Sequence, residues 1–273
     1  MTEFTFRRVV IACDAVGENR SGIETAASLA AWWNAALRGV FVQDEALLNL
    51  AALPFARHVG ASGAISEERD ESTILSQFEI GARHARAALE AAARRHEVGW
   101  SFDVVRGQAV LTTLALGDDD LLVIEAMSRP FAGEFRLDSR WLQAVYHAHR
   151  PILLARNHGN RKDGVVVLVQ KPGESAKRTI DAAARLALAA NRRLTILLSG
   201  TGLDPDQARD GVRLVSDRLA AHCRIEQGAT EVMLRRFAGD ASLLVVDADP
   251  AINDAASLKQ LTARCRADIL FLR

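Results

Sequence analysis

The residues best able to do chemistry lie between Asp120 and Arg156, in DLLVIEAMSRPFAGEFRLDSRWLQAVYHAHRPILLAR. An apolar run from Leu121 to Ile124 leads into a stretch carrying Arg129, Arg136 and Arg140, and the block closes on PILLAR. In an open parallel sheet, the loop leaving a strand's carboxyl end is where a ligand sits, with the next helix N-terminus aimed at any anion. A phosphate cradle there needs glycines, because backbone amides must approach the oxygens with no Cβ in the way. The positions where glycines would help hold Glu125, Ser128 and Asp138. The three arginines offer charge to an anion; the two acids oppose one.

Asp14 is the other candidate. It ends the run Arg8-VVIAC-Asp14, so its carboxylate stands at the carboxyl edge of a buried strand. There it can accept from a ribose hydroxyl or an adenine amine, or it can close the turn before the next helix. Other formulas fail on one residue each. Gly17-ENRS-Gly22 has P-loop glycine spacing, but Ile23 stands where the phosphate lysine is needed. Gly200-Thr201-Gly202 follows a strand, but Pro205 takes the place of a third glycine. His147 and His149, two apart on a helix, face different ways and cannot share a metal. Asp118, Asp119 and Asp120 read as a solvated turn. No nucleophile, base and orienting acid stand in a defensible order, so no catalytic residue is assigned and the chain is expected not to be an enzyme.

The elements that must position these residues alternate strand and helix. Arg8–Asp14 reads as a strand buried on both faces and Leu37–Gln43 as a second strand, with a helix between them from Gly22 to about Ala36 capped by Ser21 and Glu24. Residues 44–75 break the rhythm and read as an insertion: a short apolar helix or lid in ALLNLAALPF, then a mobile polar loop. Helix is expected from Ile74 to His96, strand from Trp100, a short helix from Gln108 to Leu116, strand from Leu121, helix over Trp141–His149 and strand from Ile152. Residues 158–164 make a polar linker, and the pattern restarts. GVVVLVQ echoes RVVIACD, LLVVDADP echoes LLVIEAMS, and ADILFLR echoes RPILLAR. Within the second copy one helix is expected from Asp206 to about His222, and Gln170 stands where the first copy has Asp14. Residues 1–157 and 164–273 thus read as two α/β domains, each a parallel sheet with helices on both faces.

Composition bounds the partners. The 273 residues are 49% hydrophobic and 25% charged with zero formal net charge, so no overall field favours nucleic acid or an anionic membrane. Cys13, Cys223 and Cys265 are widely spaced and fit no metal or redox motif, which suits a reducing cytoplasm. No apolar run is long enough to span a bilayer. A cytoplasmic protein is expected.

The strands RRVVIACD and GVFVQDE, together with the block from Asp120 to Arg156, resemble the universal stress protein family, here in a tandem form. The resemblance implies Rossmann-like domains of the adenine nucleotide alpha hydrolase type, each with a five-stranded parallel sheet. ATP-binding members carry Gly-x2-Gly-x9-Gly-Ser/Thr after the fourth strand. This chain keeps the register, with Glu125, Ser128, Asp138 and Ser139, but replaces all three glycines. Asp14, Val42 and Ser139 match the family's nucleotide contacts and are the positions at which ATP or AMP would bind. Carboxylates at Glu125 and Asp138 would lie against the triphosphate oxygens, a repulsion costing several kcal/mol unless compensated. The second copy runs into Asp247-Ala248-Asp249-Pro250, with no glycine.

These residues therefore suggest a non-catalytic stress-response or regulatory module with weak or absent ATP binding. The family pairs such domains through their last strands, so ILLAR is expected beside ILFLR within one chain, with a further homodimer open. The rivals are an ATP or AMP switch in the first copy and a partner-binding adaptor using the apolar 46–55 segment. An adenylating or pyrophosphatase-type enzyme of the related fold is disfavoured, because AVGENRSG departs from the SGGxDS order.

Overall fold

A computed structural model describes residues 6–13, 20–45, 48–49, 58–59, 65–66, 71–107, 116–117, 119–126, 150–156, 164–170, 172–199, 204–238, 241–247, 265 and 267–272. The apolar runs form strands as their composition dictates. In the first half these are β1 (Arg8–Cys13), β2 (Ala36–Asp44), β5 (Trp100–Gly107), β6 (Asp120–Ala126) and β7 (Ile152–Arg156). In the second half they are β8 (Val165–Val169), β9 (Leu194–Leu198), β10 (Arg224–Gln227), β11 (Leu243–Asp247) and β12 (Asp268–Leu272).

All ten strands join in one sheet, in the order β10-β9-β8-β11-β12-β7-β6-β1-β2-β5. Each half therefore repeats one topology, with its first and fourth strands side by side at the point where the winding reverses. Every adjacent pair is parallel except β7 with β12, which run antiparallel. Leu153 lies opposite Leu270, and these two hold the same place in ILLAR and ILFLR. A local two-fold axis thus passes between them.

Alternation along the strands splits the core. Val9 and Ile11 pack with α1 (Arg20–Trp32), α2 (Glu71–His96), α3 (Glu174–Ala189) and α4 (Pro205–Arg213) on one face. Val10 and Ala12 join Val40, Leu122, Val166, Leu244 and Cys265 on the other. Gly39 permits the close approach of α2: a Cβ there would stand 2.8 Å from both Leu89 and Phe102. Phe41 and Phe78 meet edge to face with centroids 6.4 Å apart.

Several boundaries differ from the sequence reading. Helix α1 ends at Trp32 rather than Ala36, because Asn34 turns the chain left-handed at φ 50°. Asn191 does the same after α3, again at φ 50°, one residue before the Arg192-Arg193 approach to β9. The single helix expected from Asp206 to His222 is two. Asp204 caps α4 by accepting from the Asp206 amide, and Ser216 starts α5 (Asp217–His222) by accepting from the Leu219 amide. After α6 (Thr230–Met233) the chain widens into one π turn, Leu234–Ala238.

Inside the 44–75 insertion the expected polar loop contains structure. β3 (His58–Val59) pairs antiparallel with β4 (Ile65–Ser66), and α2 already begins at Glu71. Leu48 is buried among the α-helical face residues and Asn49 is exposed. Leu47, Leu50 and Leu53, the Gln108–Ala115 helix, the Trp141–His149 helix and residues 158–163 of the linker lie outside the described residues.

Candidate functional site

The reversal point of each half lies between β1 and β6 and between β8 and β11. Open sheets of this kind bind ligands at the carboxyl ends of those strands. In the first half that edge is lined by Glu125 at the end of β6 and by the first turn of α1. A Cβ built on Gly22 would stand 3.2 Å from Glu125 Cβ and 3.3 Å from its Oε2. The Glu125 carboxyl therefore rests directly on the first turn of α1, where backbone N–H groups lack intrahelical acceptors. A Cβ at position 22 would crowd Glu125 and also Ile11 Cδ1, at 3.2 Å, so glycine suits the place.

The second half arranges the same parts differently. Asp247 ends β11 at the place of Glu125 and is 5% exposed. Ser175, in the first turn of α3, donates to its Oδ1 at 2.7 Å. Ala176 follows, buried, where the first half has Gly22. Here a buried Cβ at position 176 and the hydroxyl bond from Ser175 accompany the shorter aspartate. Both edges thus carry a carboxylate of the chain itself against a helix N-terminus, the location an anionic ligand would need.

Ser21, Glu24 and Asp120 brace the fold. Ser21 does not act as the cap; α1 begins at Arg20, and Ser21 Oγ donates to the Arg156 carbonyl at 3.3 Å. Glu24 does not complete a capping box. It pairs with Arg95 at 2.5 Å and with His96 Nε2 at 2.8 Å, tying α1 to the end of α2. Burial works against its charge, but the bonds to His96 and Arg95 prevail and hold the carboxyl below its ordinary range. At the opposite edge Asp119 is exposed beside Arg7, yet Asp120 is buried. It accepts from Arg8 Nε at 3.0 Å and from the Gly117 amide at 2.6 Å, so it is an internal brace and not a solvated turn.

Of the sequence-predicted contacts, Val42 is described: it is 8% exposed, beside Val105, in the apolar cluster with Val10, Ala12 and Val40. It thus lies on the sheet face opposite the one where Glu125 meets α1. Asp14, Ser128, Arg129, Arg136, Asp138, Ser139 and Arg140 lie outside the described residues, as do Asp118, His147, His149 and residues 248–250. Gln170, the counterpart of Asp14, follows β8 directly and is half-buried. Ser175 and Arg156 were missed; aligning RSG at 20–22 with ESA at 174–176 would have singled out the serine pair.

Cys13, Cys223 and Cys265 are all buried, and burial pushes the Cys223 thiol up. Among the described residues, no three or more His, Cys, Asp or Glu side chains converge on a possible metal position. No described helix is long and apolar enough to cross a membrane.

No family model matches the chain, and no curated protein matches it. Solved structures do. A universal stress protein from Pseudomonas aeruginosa UCBPP-PA14 superposes with TM-score 0.61 at 14% identity, over 100% of this chain and 95% of that one. A universal stress protein from Archaeoglobus fulgidus DSM 4304 gives TM-score 0.66 at 12% identity, over 99% of each chain. The cytoplasmic domain of a prokaryotic cation chloride cotransporter gives TM-score 0.51 at 12% identity, over 98% of this chain and 95% of that one. The chain has, over its whole length, the α/β fold seen in universal stress proteins.

Proposed function

We propose that the chain is a tandem universal stress protein acting in the cytoplasm as a non-catalytic stress-response or regulatory module, with weak or absent ATP binding. The observation that carries this reading is the pair of built-in carboxylates. Glu125 rests on the first turn of α1, and Asp247 is held by Ser175 at the first turn of α3. A polyphosphate entering either edge would meet a negative charge already seated at the helix end, and like charges desolvated together are strongly disfavoured. The antiparallel β7–β12 contact supports pairing of the two copies with each other, leaving a further homodimer open. Formal neutrality supports a partner other than nucleic acid.

Isothermal titration of the full chain with ATP and Mg²⁺ tests the reading: no heat is expected at high micromolar nucleotide. Saturable heat would replace it with the ATP or AMP switch, with Asp14, Val42 and Ser139 as the contacts to mutate. The adaptor reading gains one observation from the comparisons, since the fold also occurs as the cytoplasmic domain of a cotransporter. Under that reading the partner meets the 46–55 segment.

A further inference from the structure

Arg156, the last residue of β7, belongs to both halves at once. It is 3% exposed. Its carbonyl accepts from Ser21 Oγ in the first turn of α1. Its backbone N–H donates to Asp268 Oδ1 at the start of β12, at 2.7 Å. Its guanidinium Nη1 donates to the carbonyl of Cys265, just ahead of β12. One buried residue therefore ties the helix end at the first carboxyl edge to the last strand of the other half. The second half uses its matching serine differently: Ser175 turns to Asp247 inside its own half.

We propose that Arg156 is a coupling joint between the first carboxyl edge and the second half. A displacement of the first turn of α1 pulls on the Arg156 carbonyl. The residue cannot pivot freely, because its guanidinium is buried and bonded and its amide is held by Asp268. The displacement passes to β12. Linkage makes the effect reciprocal: loosening β12 loosens the first turn of α1. Whatever contacts the first edge, small molecule or protein, then alters the hold on the second half without touching it. The inference does not depend on which ligand, if any, that edge accepts.

Amide hydrogen exchange on the full chain tests it. Asp268→Ala removes an acceptor on the second half. It should speed exchange at Glu24–Ala26 in α1 by about threefold or more, with Arg178–Ile180 in α3 unchanged, since only sites sharing a partner couple at that size. Ser21→Ala should in turn speed exchange at Ile269–Phe271. Asp268→Asn keeps an Oδ1 acceptor and should leave α1 at wild-type rates. If Asp268→Ala loosens only β7 and β12, Arg156 is a local brace and the proposal is wrong. Equal acceleration of α1 and α3 also overturns it, as a general loss of stability. Should Asp268→Ala fail to fold, the Ser21→Ala measurement decides alone.

Discussion

The two carboxyl edges descend from one pattern but solve it in two ways. In the first, a long acid is accommodated by deleting a Cβ: Glu125 sits over Gly22. In the second, a shorter acid keeps the Cβ of Ala176 and takes a hydroxyl bond from Ser175. The amino-terminal edges differ as well. Arg8 and Asp120 form a partly buried ion pair in the first half, where the second has Ser242 Oγ donating to the Gly164 carbonyl at 2.9 Å. The lesson is that strand order is inherited while the polar fixings at strand ends are free to change.

The largest effect tests whether the halves are separable at all. Leu153 and Leu270 are both fully buried where the halves meet. Leu153→Asp places an unpaired charge there and should cost about 4 kcal/mol or more. Urea unfolding followed in both halves should show them lost together; independent transitions would mean that the strand pairing is not a shared core. Next comes the amino-terminal contrast. Asp120→Ala leaves Arg8 and the Gly117 amide without their acceptor and should cost about 2–3 kcal/mol. Ser242→Ala loses one neutral bond and should cost about 1 kcal/mol. Equal urea midpoints for the two variants would erase the distinction.

The carboxyl-edge contrast predicts that the two changes are coupled. Gly22→Ala alone should destabilise by about 1 kcal/mol, because the new methyl crowds Glu125. In a Glu125→Asp background, which copies the second half, the Oε2 contact is relieved while those with the Cβ of residue 125 and with Ile11 Cδ1 remain, so the same change should cost less than it does alone. Thermal melts of the four proteins measure the cycle, and an equal cost of Gly22→Ala in both backgrounds would remove the carboxylate's part in the steric explanation. The smallest effect separates α1 from α3. Glu24 titrates lower folded than unfolded, so its stabilisation is complete above its ordinary value of 4.5 and is lost as pH falls through the lower folded value. Position 178 of α3, in the matching place, is an arginine. Glu24→Gln should cost under about 1 kcal/mol at neutral pH, after solvent screening, and should flatten the acid limb of stability against pH. Melts from neutral pH to well below 4.5 would show it; a wild-type acid slope in the variant would exclude Glu24.

The strands were legible because a parallel sheet covered on both faces needs unbroken apolar runs such as VVIAC, VVVLV and LLVVD. The matching of Glu125 with Asp247 was legible for the same reason, since both close such runs. Helix limits were harder. Asn34 ends α1 early through a left-handed turn, and Ser216 divides 205–222 through a single side-chain bond, signals carried by one residue each. The fixings at the site were not legible. Ser21 reaches Arg156 across 135 positions and Ser175 reaches Asp247 across 72, and no local pattern encodes such a choice.

One consequence follows from the antiparallel meeting of β7 and β12. Because every other neighbour is parallel, the two carboxyl edges open toward opposite ends of the sheet. Two identical chains joined this way would be forced by symmetry to present the same chemistry at both ends. Joined in one polypeptide, the ends are released from that constraint, and each can answer to a different visitor.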